Sequence, residues 1–337
     1  SSHLCELLLL CHPWRRNWIR TMHTPLPPNT DELNSDPSDE SSPACILVFN
    51  ASDPSGAGGL TADITTIASV GGHPIAVVTG AYARDTAQIF DHFSFDDEAV
   101  AEQARAVLED LPVQAIKVGF VGSPENISTI AEITTDYDEV PVIAYMPNLS
   151  WWRDELIDEY LDAFRELLLP QTSVLVGNHS TLWRWLLPDW TSDRSPTARD
   201  IARAASEMGV PYTLVTGIPL PEQFVENVLA SPQTVLGSGK FELFDATFSG
   251  AGDTLSAALT ALVASGNDLG EATSEALGYL DRCLDAGFRP GMGHIVPDRM
   301  FWAQPDDDEA DGDEEELPID EAQALEGFVM PPHDTKH

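Results

Sequence analysis

Short apolar runs alternate with amphipathic stretches along most of the chain. Ala44-Cys45-Ile46-Leu47-Val48-Phe49 and Ile75-Ala76-Val77-Val78-Thr79 are two such runs, followed by Ala115-Ile116-Lys117-Val118 and Val140-Pro141-Val142-Ile143-Ala144. Ser173-Val174-Leu175-Val176 and Tyr212-Thr213-Leu214-Val215-Thr216 complete the set. Their length and apolar content suit strands covered on both faces. Between them a helical period runs over 60–68, 97–110, 124–136, 153–168, 196–208, 253–265 and 269–286. This order predicts an α/β fold, a three-layer α/β/α arrangement with a mainly parallel central sheet. Gln223–Ala230, Gln233–Leu236 and Lys240–Phe244 predict a late antiparallel edge, and no internal repeat is visible. In such a sheet ligands bind beyond the carboxyl ends of the strands. The loops after 45–50, 75–81, 115–119, 140–145, 173–177 and 212–217 should therefore line a cleft, and Asp53, Asp63, Lys117 and Asn178 fall near its rim.

The patterning stops at both ends. The expected domain is 45–304, flanked by a disordered leader or upstream extension over 1–44 and an acidic disordered tail over 305–337. Leu4-Cys5-Glu6-Leu7-Leu8-Leu9-Leu10-Cys11 is too short to span a bilayer. Arg15, Arg16 and Arg20 follow that run, the reverse of a secretory signal. An upstream reading-frame extension with the natural start at Met22 is the expectation. Asp306-Asp307-Asp308-Glu309 and Asp313-Glu314-Glu315-Glu316 make the tail acidic and solvated.

Two glycine-rich turns carry the chemistry. In Phe248-Ser249-Gly250-Ala251-Gly252-Asp253-Thr254, the glycines allow backbone N–H groups to lie open at the start of a helix. Such a terminus carries about half a positive charge and suits a phosphoryl anion. Asp253 inside the turn could take a proton from a substrate hydroxyl, or it could only cap the helix. The second turn, Asn50-Ala51-Ser52-Asp53-Pro54-Ser55-Gly56-Ala57-Gly58-Gly59, joins the first strand to an amphipathic helix. It lacks the Gly-Lys-Ser/Thr ending of a Walker loop and the Gly-x-Gly-x-x-Gly spacing of a dinucleotide fold.

Residues 45 to about 300 resemble the hydroxymethylpyrimidine/phosphomethylpyrimidine kinases of thiamine biosynthesis, members of the ribokinase-like superfamily. The resemblance rests on Ser52-Asp53-Pro54-Ser55-Gly56-Ala57-Gly58-Gly59-Leu60-Thr61-Ala62-Asp63, on Ile116-Lys117-Val118-Gly119, and on Gly250-Ala251-Gly252-Asp253-Thr254-Leu255-Ser256-Ala257-Ala258, in the family's order. It implies ATP- and Mg2+-dependent phosphorylation of a pyrimidine hydroxymethyl group or its monophosphate. A related vitamin kinase for pyridoxal-type rings, or a non-catalytic ligand-binding relative, is the alternative. By resemblance, Gly250, Ala251, Gly252 and Asp253 form the catalytic turn. Ala51, Asp53, Gly58, Asp63, Arg84, Phe120 and Met146 face the substrate, and Lys117, Asn178, Thr216 and Gly217 serve the nucleotide. No residue is assigned as a metal ligand. The bland reading of Asp63 is a surface helical acid, and that of Lys117 a lysine snorkelling from a strand edge.

The chain also departs from the family pattern. Asp253 stands where many pyrimidine kinases carry Cys. Arg84, a donor only, replaces a Gln that both donates and accepts. Ala144-Tyr145-Met146 replaces Asp-Pro-Val, and Thr216-Gly217-Ile218 replaces Lys-Gly-Gly. Asn178-His179-Ser180-Thr181 replaces Asn-x-x-Glu and loses its carboxylate, so Mg2+ is expected to rely on the nucleotide phosphates. Trp151-Trp152 and Trp183, Trp185 and Trp190 suit core packing or a subunit interface better than a base platform. His179 and His294 are not read as metal ligands, and Gly291-Met292-Gly293-His294 echoes the family's C-terminal segment.

The net charge is −38 over 337 residues, with lysine at only 117, 240 and 336. An acid-rich surface disfavours nucleic acid, and no membrane partner is expected. Four cysteines, scattered, form neither a disulfide framework nor a metal site, which points to a reducing cytoplasm. The expected partner is a small-molecule substrate, and the expected assembly a homodimer. Residues 45–304 alone hold 36 acids and 13 bases, so the fold repels itself. Because the Debye length falls to about 3 Å at 1 M salt, the thermal midpoint should rise between dilute buffer and 1 M KCl. A flat or falling midpoint would contradict the repulsion argument.

Overall fold

The computed structural model describes residues 42–303. The leader, apart from 42–44, and the acidic tail lie outside the described residues.

The first strand, β1 (Cys45–Ser52), alternates its side chains between two cores. Leu47 and Phe49 enter one apolar cluster, while Ile46 and Val48 enter another on the opposite face. That two-sided burial explains why the run is apolar throughout. After β1 come α1 (Gly59–Ser69), β2 (His73–Arg84), β3 (Ile89–Ser94), α2 (Asp97–Leu108), β4 (Ala115–Val118) and α3 (Pro124–Thr135). The middle of the chain supplies β5 (Val142–Met146), α4 (Asp154–Ala163), β6 (Val174–Asn178), α5 (His179–Leu186) and α6 (Ala198–Ser206). It closes with β7 (Tyr212–Leu220), β8 (Phe224–Ala230), β9 (Val235–Glu242), α7 (Ala251–Ala264) and α8 (Leu269–Asp285).

The strands form one sheet in the order β3-β2-β1-β4-β5-β6-β7-β8-β9. The run from β2 to β7 is parallel, and β3, β8 and β9 are antiparallel additions at the two edges. Side chains of α2 to α6 fill the core on one face, and those of α1, α7 and α8 fill it on the other. This is the three-layer α/β/α fold expected from the alternation.

Four local expectations are corrected. β2 runs five residues past Thr79 and pairs with β3 as a hairpin, an element the pattern did not predict. Its turn is set by Asp85, whose Oδ1 accepts from the N–H groups of Ala87 (2.7 Å) and Gln88 (2.8 Å). The two segments 233–236 and 240–244 are one strand, β9, because Gly237 to Gly239 keep pairing with β8. An unpredicted short helix, α5, follows β6. Asn178 caps it by accepting from the Ser180 N–H at 3.0 Å, and Leu182, Trp185 and Leu186 turn into the core. The region expected as one helix over 153–168 leaves α geometry after Ala163, ending in a π-helical turn over Phe164–Leu168.

The tryptophans serve packing. Trp151 and Trp152 stack on each other at 5.9 Å and meet Phe120 edge-on, and Trp185 meets Phe164 in the core.

Candidate active site

The glycine turn around Gly250 starts α7. Gly250 precedes the helix at φ +88°, and a Cβ there would collide with the Ala57 carbonyl. The opening loop and the α7 turn therefore touch backbone to backbone. The helix begins at Ala251, two residues earlier than expected, which puts Asp253 in its first turn. The N–H groups of Ala251, Gly252 and Asp253 meet no acceptor among the described residues, which leaves them free for an anion.

Asp253 reaches across three elements. Its carboxylate accepts from the Gly59 N–H at 2.9 Å, from Asn50 Nδ2 at 3.0 Å and from Lys117 Nζ at 2.8 Å. Lys117 is fully buried in β4 and donates a second, short bond to Asp63 in α1. Asn50, at the carboxyl half of β1, bridges the two acids by donating also to Asp63 Oδ2 at 2.7 Å. One cation thus stands between two carboxylates, with an amide completing the ring. Burial raises the Asp63 pKa to about 7 despite Lys117, and the Asp253 charge pushes the same way. Burial opposes ionisation at Asp253 too, but Lys117 and the bonds from Gly59 and Asn50 outweigh it and hold this carboxyl below the usual range. The two acids are driven apart, one holding its proton and the other ionised.

A second group surrounds Asp53. Its carboxylate accepts from the N–H groups of Ser55 (2.8 Å) and Gly58 (2.7 Å) and pairs with Arg84 at 3.3 Å. Arg84, at the end of β2, also reaches Ser249 Oγ at 3.5 Å, beside the α7 turn, and Ser249 contacts His294 Nδ1 at 3.0 Å. Ala51 lies buried next to Asn50, and the Phe120 N–H donates to Asn50 Oδ1 at 3.2 Å. Phe120 itself is enclosed by Tyr82, His92, Trp151, Trp152 and Tyr160.

Of the residues singled out from sequence, the structure brings together Gly250, Ala251, Gly252, Asp253, Asp53, Gly58, Asp63, Arg84 and Lys117, with Ala51 and Phe120 adjoining. It does not bring the others into this network. Met146 is buried at the end of β5, paired to Gly177. Asn178 and Thr216 pair with each other on β6 and β7, and the Gly217 N–H donates to Asn227 Oδ1 at 2.9 Å. Lys117, expected at the rim, is wholly inside the acid pair.

Two contributors went unassigned. Asn50 is an ordinary residue in the sequence, and only its position between the acids gives it a role. Arg299 is 5% exposed and ties the two loops together. It donates to Thr254 Oγ1 at 2.9 Å, to the Gly56 carbonyl at 3.2 Å and closely to the Ala57 carbonyl. A basic residue in the apolar segment before the acidic tail was the available signal.

Among the described residues, no group of three His, Cys, Asp or Glu side chains is arranged to hold a metal ion. The carboxylates of Asp53, Asp63 and Asp253 are already engaged by Arg84, Lys117 and Asn50. An all-protein Mg2+ cage does not fit among the described residues. No described helix is long and apolar enough to cross a membrane.

The phosphomethylpyrimidine kinase family model matches residues 53–298. A hydroxymethylpyrimidine/phosphomethylpyrimidine kinase of Streptomyces coelicolor is 28% identical over 272 residues, covering 79% of this chain and 98% of the relative. A pyridoxal kinase of Bacillus subtilis, solved with ADP, has a similar fold: TM-score 0.69 and 23% identity, covering 78% of this chain and 100% of that one. A phosphomethylpyrimidine kinase structure from Clostridium difficile has TM-score 0.59 and 24% identity, covering 72% and 99%.

The acid pair predicts a pH signature. Folded Asp63 has its pKa raised to about 7, whereas that of an aspartate in the unfolded chain is 3.8. Between those values the folded state binds more protons, so this group lowers stability as pH rises. His92 acts oppositely: burial lowers it to about 4 from 6.5, so its contribution rises with pH across that interval. Asp63→Asn removes the first effect and leaves the second. Urea unfolding from pH 4.5 to 6.5 should show stability rising with pH more steeply in the variant than in the parent. Parallel curves would mean that Asp63 is not holding a proton.

Proposed function

The chain belongs to the phosphomethylpyrimidine kinase family, and from that premise we propose that it transfers the terminal phosphoryl group of ATP to hydroxymethylpyrimidine, to its monophosphate, or to both, in thiamine biosynthesis. The observation that carries the reading is Asp253, ionised and held beside three free N–H groups at the start of α7. The acceptor hydroxyl lies against Asp253, which takes its proton, while the N–H groups of Ala251, Gly252 and Asp253 meet the charge on the incoming phosphoryl group. Lys117 makes Asp253 a weak base. In a loose phosphoryl-transfer transition state the nucleophile needs little activation, so a weak but fully ionised base suffices.

Asp53, Gly58, Asp63 and Arg84, with Ala51 and Phe120 beside them, form the acceptor side of the cleft. Asn178, Thr216 and Gly217 form the nucleotide side. Behind Gly217, a cavity of about 180 Å3 lies between β8, β9 and α8, lined by Asn227, Phe244, Phe248 and Leu277, and its apolar walls suit a nucleotide base. Mg2+ is delivered with ATP and neutralises its phosphates. A cytoplasmic homodimer belongs to the same reading. In its support, the edge strand β3 presents Phe90 and Phe93, each about 60% exposed, which is costly to leave in water.

Two substitutions test this reading. ADP release should be measured with Mg2+ and ATP against hydroxymethylpyrimidine, its monophosphate, pyridoxal and sugar alcohols. Asp253→Asn should lower turnover by roughly 10²–10⁴ while ATP affinity stays within a few-fold. A parent protein that releases no ADP with any acceptor would instead make the chain a ligand-binding relative. Arg84→Gln should improve the kcat/KM of hydroxymethylpyrimidine relative to the other acceptors about tenfold, the worth of about one neutral hydrogen bond. An unchanged ranking would place the guanidinium away from the ring.

A further inference from the structure

Tyr145 lies next to last in β5, at the carboxyl end of the sheet where the cleft opens. It packs against the first turn of α7: a Cβ on Gly252 would collide with its hydroxyl. Gly252 is thus bare because another residue's phenol occupies the space beside it. The Tyr145 ring lies 5.8 Å from Lys117 Nζ, the ammonium that holds Asp253. Its hydroxyl has no hydrogen-bond partner among the described residues, and the side chain is only partly buried. A phenol in this position would ordinarily find a partner. Burial and the charges of Asp253 and Asp63 raise its pKa, so the hydroxyl stays protonated and is available as a donor.

The phenol oxygen therefore lies beside the first turn of α7, where three N–H groups are also free, and adds a fourth donor to that end of the helix. Asp253 already accepts from Gly59, Asn50 and Lys117, which leaves it one site for the acceptor hydroxyl, and Asp63 accepts from Lys117 and Asn50. The acceptor that a donor cluster of this kind awaits is an oxygen brought by the ligand. We propose that Tyr145 is a catalytic residue whose hydroxyl donates a hydrogen bond to an oxygen of the phosphoryl group as it crosses the α7 turn. This rests on the kinase reading above. No proton is transferred by Tyr145, which acts as a fixed dipole alongside the backbone donors. The phenol also answers a departure noted in the sequence, since it stands in the segment where the resembling kinases carry Asp-Pro-Val.

Tyr145→Phe tests the assignment, because the ring and its packing remain and only the oxygen is lost. Steady-state kinetics with ATP and hydroxymethylpyrimidine should show kcat lowered roughly 10²-fold, with both KM values within about threefold. Calorimetric titration with ADP should give the same affinity in parent and variant. Adding aluminium fluoride, which mimics the phosphoryl group in flight, should tighten ADP binding in the parent and much less in the variant. An unchanged kcat, or an equal loss of affinity for ADP with and without aluminium fluoride, would overturn the role of Tyr145 in a working kinase. A parent that neither binds ADP nor turns over would take down the kinase reading itself, and this proposal with it.

Discussion

Everything at the mouth of the sheet is organised around one ammonium group with nowhere else to go. Lys117 interrupts an otherwise apolar four-residue strand and is fully buried, so its charge must be met inside the protein. Asp63 on α1 and Asp253 on α7 meet it from neighbouring helices. Removing the ammonium would leave the Asp253 carboxylate buried beside Asp63 without its counter-charge, a change that typically costs about 3–5 kcal/mol when a buried pair is broken. The ion triad thereby fixes where α1 and α7 begin relative to β4. It also decides that Asp253 is the acid more readily ionised.

Around that centre the chain is held by short polar links between segments distant in sequence. Asn50 joins β1 to both acids, and Arg299 crosses from the C-terminal segment to Thr254 and to the carbonyls of the opening loop. Gly250 lets those two loops come into backbone contact. The geometry of the Gly250–Asp253 turn is therefore a property of β1, β4, α1, α7 and the segment near 299 together.

The layered architecture was readable in the sequence because strands buried on both faces are forced to be apolar throughout. The two-sided burial of Ile46 to Phe49 is the direct case. The hairpin of β2 and β3 was not readable, because its residues are half-exposed and carry no such signature, and only the Asp85 turn marks it. The short helix α5 was hidden by its length, barely two turns. At the site, Asp63, Lys117 and Asp253 could each be picked out as a charge in an odd place. Their mutual bonding could not, since it depends on three elements converging. Asn50 and Arg299 make their links through position alone.

The triad has a consequence for the medium in which the protein can work. Counter-ions weaken an electrostatic attraction only where they can come between or around the charges. The Lys117 and Asp63 side chains are completely buried and that of Asp253 is 16% exposed, so mobile ions have almost no volume from which to act on this pair of bonds. Brine that neutralises the acidic exterior leaves the interior ions as they were. Inside and outside therefore answer to different solvents: the surface is governed by ionic strength, and the Asp253 carboxylate by the fixed protein matrix around it.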